Sequence, residues 1–118
     1  MKLEFLLMPT RDLKGALALH RDGMGWQEAW REGDSTVSLT MPGTEVQLML
    51  DANDPDAAPG PIFVVESVHD FHSGRPSGLQ TTAEPDAIPG GFMATYADQS
   101  GNAIYVMDQS EDATSGAS

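Results

Sequence analysis

The side chains best suited to move protons or hold a metal in this sequence are three histidines and eighteen aspartates and glutamates, so their spacing decides what they could do. In "HDFH", His69 and His72 stand three apart and would share one face of a helix, as metal-binding pairs do, but no carboxylate stands at a defined spacing to complete a site. They read as surface histidines on a solvated helix. His20 falls on an apolar stripe and reads as a boundary residue. There is no cysteine, which removes disulfides, thiolate nucleophiles and sulfur ligands. No serine or threonine has a visible histidine and aspartate relay, no glycine-rich phosphate loop occurs, and no spaced carboxylate pair demands acid/base catalysis. The segment "WQEAWRE" is more suggestive. Trp26, Glu28 and Trp30 alternate, so a regular strand would put all three on one face, where two indoles flanking a carboxylate suit a planar or cationic ligand. A subunit interface would use the same residues.

Charge narrows the partners. Eighteen acids against six lysines and arginines give a net charge of −12, which argues against nucleic acid and anionic membrane. The acidic excess serves solubility, or draws a cationic ligand into an acidic groove. The chain has 118 residues, 40% of them apolar, enough for the core of one compact domain. No apolar run approaches the ~20 residues needed to span a bilayer. "MKLEFLLMP" is too short, with an acid inside it, for a secretion signal, so the expected setting is the cytoplasm.

Elements able to position these residues follow from the periodicity. "KLEFLLMP" is a strand. Thr10 is a fair N-cap for a helix over "RDLKGALALHRD", in which Leu13, Ala16, Leu17 and His20 share a face and Gly23 can end the helix in a left-handed conformation. "WQEAWRE", "STVSLTM" and "TEVQLML" are short strands separated by "GD" and "PG" turns. "DANDPDAAPGP" reads as a linker, after which strand "IFVVE", helix "SVHDFHSG" and strands "LQTTAE", "FMATYAD" and "NAIYVMD" repeat the order. A constant shift of 58 residues pairs Phe5 with Phe63, Asp12 with Asp70, Gly33 with Gly91, Gly43 with Gly101, Leu48 with Val106 and Met49 with Met107, among others. The chain is therefore read as two copies of a βαβββ module, residues 1–50 and 62–108, joined by a linker over 51–61 and followed by a disordered tail over 109–118.

"LLMPTRDL", "LHRDGMGW" and "DQSGNAIYVMD", in that order on a duplicated chain, resemble the hallmarks of the vicinal oxygen chelate superfamily, the glyoxalase, bleomycin-resistance and extradiol-dioxygenase group. Thr10, His20 and the pair Gln99-Ser100 depart from the usual residues of those motifs. The resemblance implies an α+β fold in which two modules form a curled, eight-stranded mixed sheet around a cavity. It also implies a homodimer. In metal-dependent members the first and last strands of each module supply the ligands, and those places fall here on Phe5, Gln47, Phe63 and Tyr105. Two Phe, one amide and one phenol are a poor set for a divalent cation, so no metal and no cofactor is expected. They suit instead an apolar, aromatic-lined pocket with a few polar handles for a small organic ligand, although the same four could simply fill a core. The implied function is metal-independent binding of a small molecule, with antibiotic sequestration as the model and a cationic or aromatic ligand contacting these four together with Trp26, Glu28 and Trp30. The alternative is a lyase, isomerase or dioxygenase with a divalent metal at other positions, such as Gln47 with Glu45, Glu28 or His69.

Overall fold

The computed structural model describes residues 1–110. Its first half contains β1 (Lys2–Pro9), α1 (Leu13–Leu17, continued by wider π-type turns over Ala18–Gly23), β2 (Gln27–Glu32), β3 (Thr36–Thr40) and β4 (Gln47–Asp51). The second half contains β5 (Gly60–Val64), α2 (Val68–Gly74), β6 (Gln80–Ile88), β7 (Gly91–Ala97) and β8 (Ala103–Met107). The fold is α+β, with eight strands in a mixed sheet and a helix after the first strand of each half. Strand order is β2-β3-β4-β1 in the first half and β6-β7-β8-β5 in the second, the same arrangement twice. In each, the last strand pairs in parallel with the first and antiparallel with the third. Parallel neighbours cannot be joined by a tight turn, and the helix with its hairpin is the crossover that brings the chain back. Two compact units result, Glu4–Gly60 and the chain from Pro61 onward together with Met1–Leu3. Of the expected tail, residues 111–118 lie outside the described residues.

In the first unit, side chains alternate between two faces. Val37, Leu39, Leu48 and Leu50 turn to one face and pack with Leu17, with Leu13, Ala16, Trp26 and Met41 around them. This is the apolar stripe that the helical spacing predicts. The helix ends differ from expectation. Asp12, not Thr10, is the N-cap, because its carboxylate accepts the Gly15 amide at 2.9 Å while the Thr10 hydroxyl accepts the Asp12 amide one step outside. The left-handed residue after the helix is Gly25 (φ 77°) rather than Gly23, since the π-type turns carry the chain further, with the Met24 amide on the Leu19 carbonyl.

The second unit packs Val68, Ala94, Tyr96 and Val106 beneath α2, which Ser67 caps by accepting the Asp70 amide at 3.1 Å. Asp70 thus stands inside its helix whereas Asp12 stands at the start of its own, and the two are not equivalent as the shift of 58 had them. The shift holds at the repeated corner, where Gly43 (φ 80°) and Gly101 (φ 85°) both take the left-handed turn before the last strand. Asp108 fastens this unit. Although 1% exposed, its carboxylate accepts the amides of Val68 at 2.7 Å and Phe92 at 3.0 Å, and the Ser110 hydroxyl at 2.8 Å. Burial opposes the charge, yet these hydrogen bonds prevail and hold the carboxyl below its ordinary range.

A depressed folded-state pKa stabilises the fold above the unfolded value of about 3.9, and that contribution is lost as pH falls through the folded value. Urea unfolding of Asp108→Ala at pH 7 is expected to show a loss on the order of 2–4 kcal/mol, because the buried Val68 amide and the part-buried Phe92 amide lose their acceptor. The difference from the parent should shrink below about pH 4; an undiminished difference would assign the cost to packing alone. A Cβ on Gly91 would overlap the carbonyl and carboxylate oxygens of Asp108, whereas one on Gly43 meets open space. Gly91→Ala should therefore lower the midpoint of thermal unfolding more than Gly43→Ala, whose cost is the left-handed backbone, about 1 kcal/mol.

Candidate functional site

The parallel pairing of β1 with β4 sets Phe5 beside Gln47, on the face of the first unit opposite the helix. Thr36, Ser38 and Thr40 of β3 bring their polar groups to this same face, while Val37 and Leu39 between them go to the core. Gln47 is held from two sides. Its side-chain oxygen accepts the Trp30 indole N–H at 3.1 Å and the Ser38 hydroxyl at 2.8 Å. An indole N–H can only donate, so the amide is fixed with its oxygen toward Trp30 and its NH2 group turned away. Phe5 meets Trp30 edge-on, ring centres 5.9 Å apart at 86°. Phe5 and Ser38 are buried and Gln47 and Trp30 half-buried. Further along the same face Asp51 accepts the Thr36 hydroxyl at 2.9 Å and the Asn53 side-chain amide at 2.9 Å. The result is a short aromatic wall with one oriented amide.

The expectation that Trp26, Glu28 and Trp30 share a face fails. β2 carries a register shift between Glu28 and Trp30, so Glu28 opposes Leu39 while Trp30 opposes Ser38, and the two turn to opposite faces. Trp26 precedes the strand and packs on the helix side, its ring 5.6 Å from that of His20. His20 in turn bonds the Ala16 carbonyl through Nδ1 at 2.9 Å, consistent with a boundary residue. Glu28 is occupied by cations. Arg31 lies 2.9 Å away and Arg21 3.1 Å, and the hydrogen bond from Arg31, foremost, keeps the Glu28 carboxyl below its ordinary range.

In the second unit Tyr105 is buried and lies in register with Ile62 and Thr95. Phe63 is in register with Val106 instead and shares its face, the one beneath α2. Phe63 and Tyr105 thus do not share a face. The first-strand place equivalent to Phe5 is held by Ile62, and the shift between the halves is 57 here rather than 58, one residue being enough to exchange the faces of a strand. The same slip puts the left-handed hairpin glycine at Gly90 (φ 86°) rather than Gly91. The two helix histidines have separate partners. His69 is exposed with its ring against Phe92, centroids 4.7 Å apart. His72 bonds the Tyr96 hydroxyl through Nδ1 at 2.8 Å and the Glu84 carboxylate through Nε2 at 3.0 Å, and is no plain surface histidine. Tyr96 is fully buried, and burial lifts its phenol above the usual range. Sequence reasoning missed this contact because Tyr96 and Glu84 are distant in the chain. It also missed Ser38, for which the alternation in "STVSLTM" was an available signal.

A divalent cation of the kind used by metal-dependent proteins of this architecture takes about three or more oxygen or imidazole donors. The residues present do not fit one. Phe5 and Phe63 have no donor atom, the Gln47 oxygen already receives two hydrogens, and among the described residues no group of three His, Asp or Glu is placed to hold a metal. The positions considered for an alternative metal have other surroundings. Glu28 faces the other side of the sheet with its arginines, Glu45 is exposed, and His69 on α2 has its ring against Phe92.

No family model matches the sequence, and no curated protein matches it. Solved structures do. An NAD-dependent benzaldehyde dehydrogenase from Legionella pneumophila superposes with a TM-score of 0.74 at 14% identity, over 89% of this chain and 97% of that one. A Mn(II)-bound glyoxalase from Novosphingobium aromaticivorans gives 0.62 at 13% identity, over 93% of this chain and 38% of the longer one. A glyoxalase/bleomycin resistance protein/dioxygenase superfamily member from Vibrio splendidus 12B01 gives 0.59 at 12% identity, over 88% and 95%. At such identities the likeness is one of fold. Paired βαβββ halves, parallel closure of first and last strands, and these superpositions agree: the chain has the vicinal oxygen chelate fold, the architecture shared with glyoxalases and bleomycin-resistance proteins.

Proposed function

We propose that this protein binds a small aromatic molecule without the help of a metal, on the wall formed by Phe5, Trp30 and Gln47. The observation that carries the reading is the double engagement of the Gln47 oxygen by Trp30 and Ser38. At a place where metal-using proteins of this fold need a donor, the chain has committed the donor atom to its own indole. The same bonds fix the indole plane and leave an aromatic surface with one oriented polar group, which is the composition of a small-molecule site. Tyr105 and Ile62, buried at the corresponding strand places of the second unit, form a more apolar counterpart within that unit. Phe63, Trp26 and Glu28 are left out of the reading, because they serve the helix side. Sequestration of a drug-like compound by a cytoplasmic homodimer is the biological role we attach to it, with no turnover of the ligand.

Elemental analysis of the purified protein should find no stoichiometric Ni, Zn, Fe or Mn, and EDTA should leave ligand binding unchanged; a tightly held equivalent of metal contradicts the reading. In a thermal-shift screen of naphthalene-sized aromatics, hits should depend on Trp30 and not on Trp26. Trp30→Ala should weaken them about tenfold or more, roughly 1.4 kcal/mol upward, while Trp26→Phe leaves affinity within a factor of about two. A screen that is flat throughout, or hits indifferent to Trp30→Ala, would indicate walls that only fill the fold.

A further inference from the structure

We infer that the ligand presents an uncharged hydrogen-bond acceptor, an aromatic ketone or amide carbonyl, to the Gln47 NH2 group. The inference rests on the reading of this wall as a ligand site and adds the ligand's chemical class. The Trp30 N–H and the Ser38 hydroxyl both spend their protons on the Gln47 oxygen, and Ser38 is fully buried, so its own lone pairs are out of reach. The Gln47 oxygen is taken. What Gln47 still offers is its NH2, for which no hydrogen bond is found among the described residues and which is not among their buried, unpaired polar atoms. An amide NH2 donates and does not accept. An ammonium or amine brought to this spot would set donor against donor, which disfavours the cationic ligand suggested by the acidic composition.

Charge then separates acceptors from one another. Asp51 lies on the same face of β4 four residues from Gln47, in register with Pro9 as Gln47 is with Phe5. Its carboxylate is held by Thr36 and Asn53, with no cation among those partners. A net charge of −12 adds a field that repels anions on approach. A carboxylate ligand would meet both, whereas a neutral carbonyl meets neither and gains the two N–H donors. The ring carrying the carbonyl would lie along Trp30, whose plane the bond to Gln47 fixes.

Three compounds of one shape test this: 2-acetylnaphthalene, 2-naphthoate and 2-naphthylmethylamine, titrated into the full-length protein by calorimetry at pH 7 and moderate salt. The ketone should bind at least about tenfold more tightly than either charged compound. Gln47→Glu keeps an oxygen for Trp30 and Ser38 but replaces the NH2 with an acceptor. It should lose about tenfold toward the ketone and reverse the preference in favour of the amine, with its thermal midpoint recorded to confirm folding. Should the parent bind the amine or the naphthoate as well as the ketone, the inference is overturned while the ligand site stands. Should none of the three bind, or all bind equally to Trp30→Ala, the site itself is refuted and the inference with it.

Discussion

The parallel pairing of the first and last strands in each half is the constraint on which the rest depends. It cannot form locally, so the helix and the hairpin must be in place to carry the chain back, and once formed its register decides which side chains stand together. In the first half that register places Phe5 against Gln47; in the second it places Ile62 against Tyr105. A slip of one residue in β1 would take Phe5 from the wall and put Leu6 beside Gln47. Such a slip is expensive because it would exchange the buried Phe5 and Leu7 for the exposed Leu6 and Met8.

The site is a by-product of that alternation joined to one irregularity. β3 sends Val37 and Leu39 to the core and Thr36 and Ser38 outward, and β4 does likewise with Leu48, Leu50, Gln47 and Asp51. The register shift in β2 then turns Trp30 to the polar face while leaving Glu28 with its arginines on the other. Without that shift the indole would point to the helix side and Gln47 would lose the donor that orients it. The aromatic wall thus depends on a local defect in strand pairing, and the amide's direction depends on the chemistry of an indole N–H, which has nothing to accept with.

Much of this was legible in the chain. The repeated order of elements and the turn glycines Gly43 and Gly101 follow from periodicity and from a constant spacing, whereas the places of Phe5 and Gln47 came with the family resemblance. What escaped depends on single-residue shifts that no periodicity records. The bulge in β2 broke the shared face of Trp26, Glu28 and Trp30, and the change of offset from 58 to 57 exchanged Phe63 for Ile62. Helix ends escaped because Thr10 and Asp12 are both competent caps and only the local geometry chooses between them. Contacts between distant residues, His72 with Tyr96 and Asp108 with Val68, carry no local signature at all.

The claim that bears the most weight is that the Trp30 indole holds the Gln47 oxygen and leaves the NH2 outward. Proton–nitrogen NMR of the ligand-free protein reads both groups at once through hydrogen exchange with water. The account predicts a Trp30 indole proton protected from exchange, with that protection lost in Gln47→Leu, and Gln47 NH2 protons that exchange as readily as those of a solvent-facing amide. A Trp30 indole proton exchanging at the rate of a free indole, or Gln47 NH2 protons that resist exchange, would contradict it.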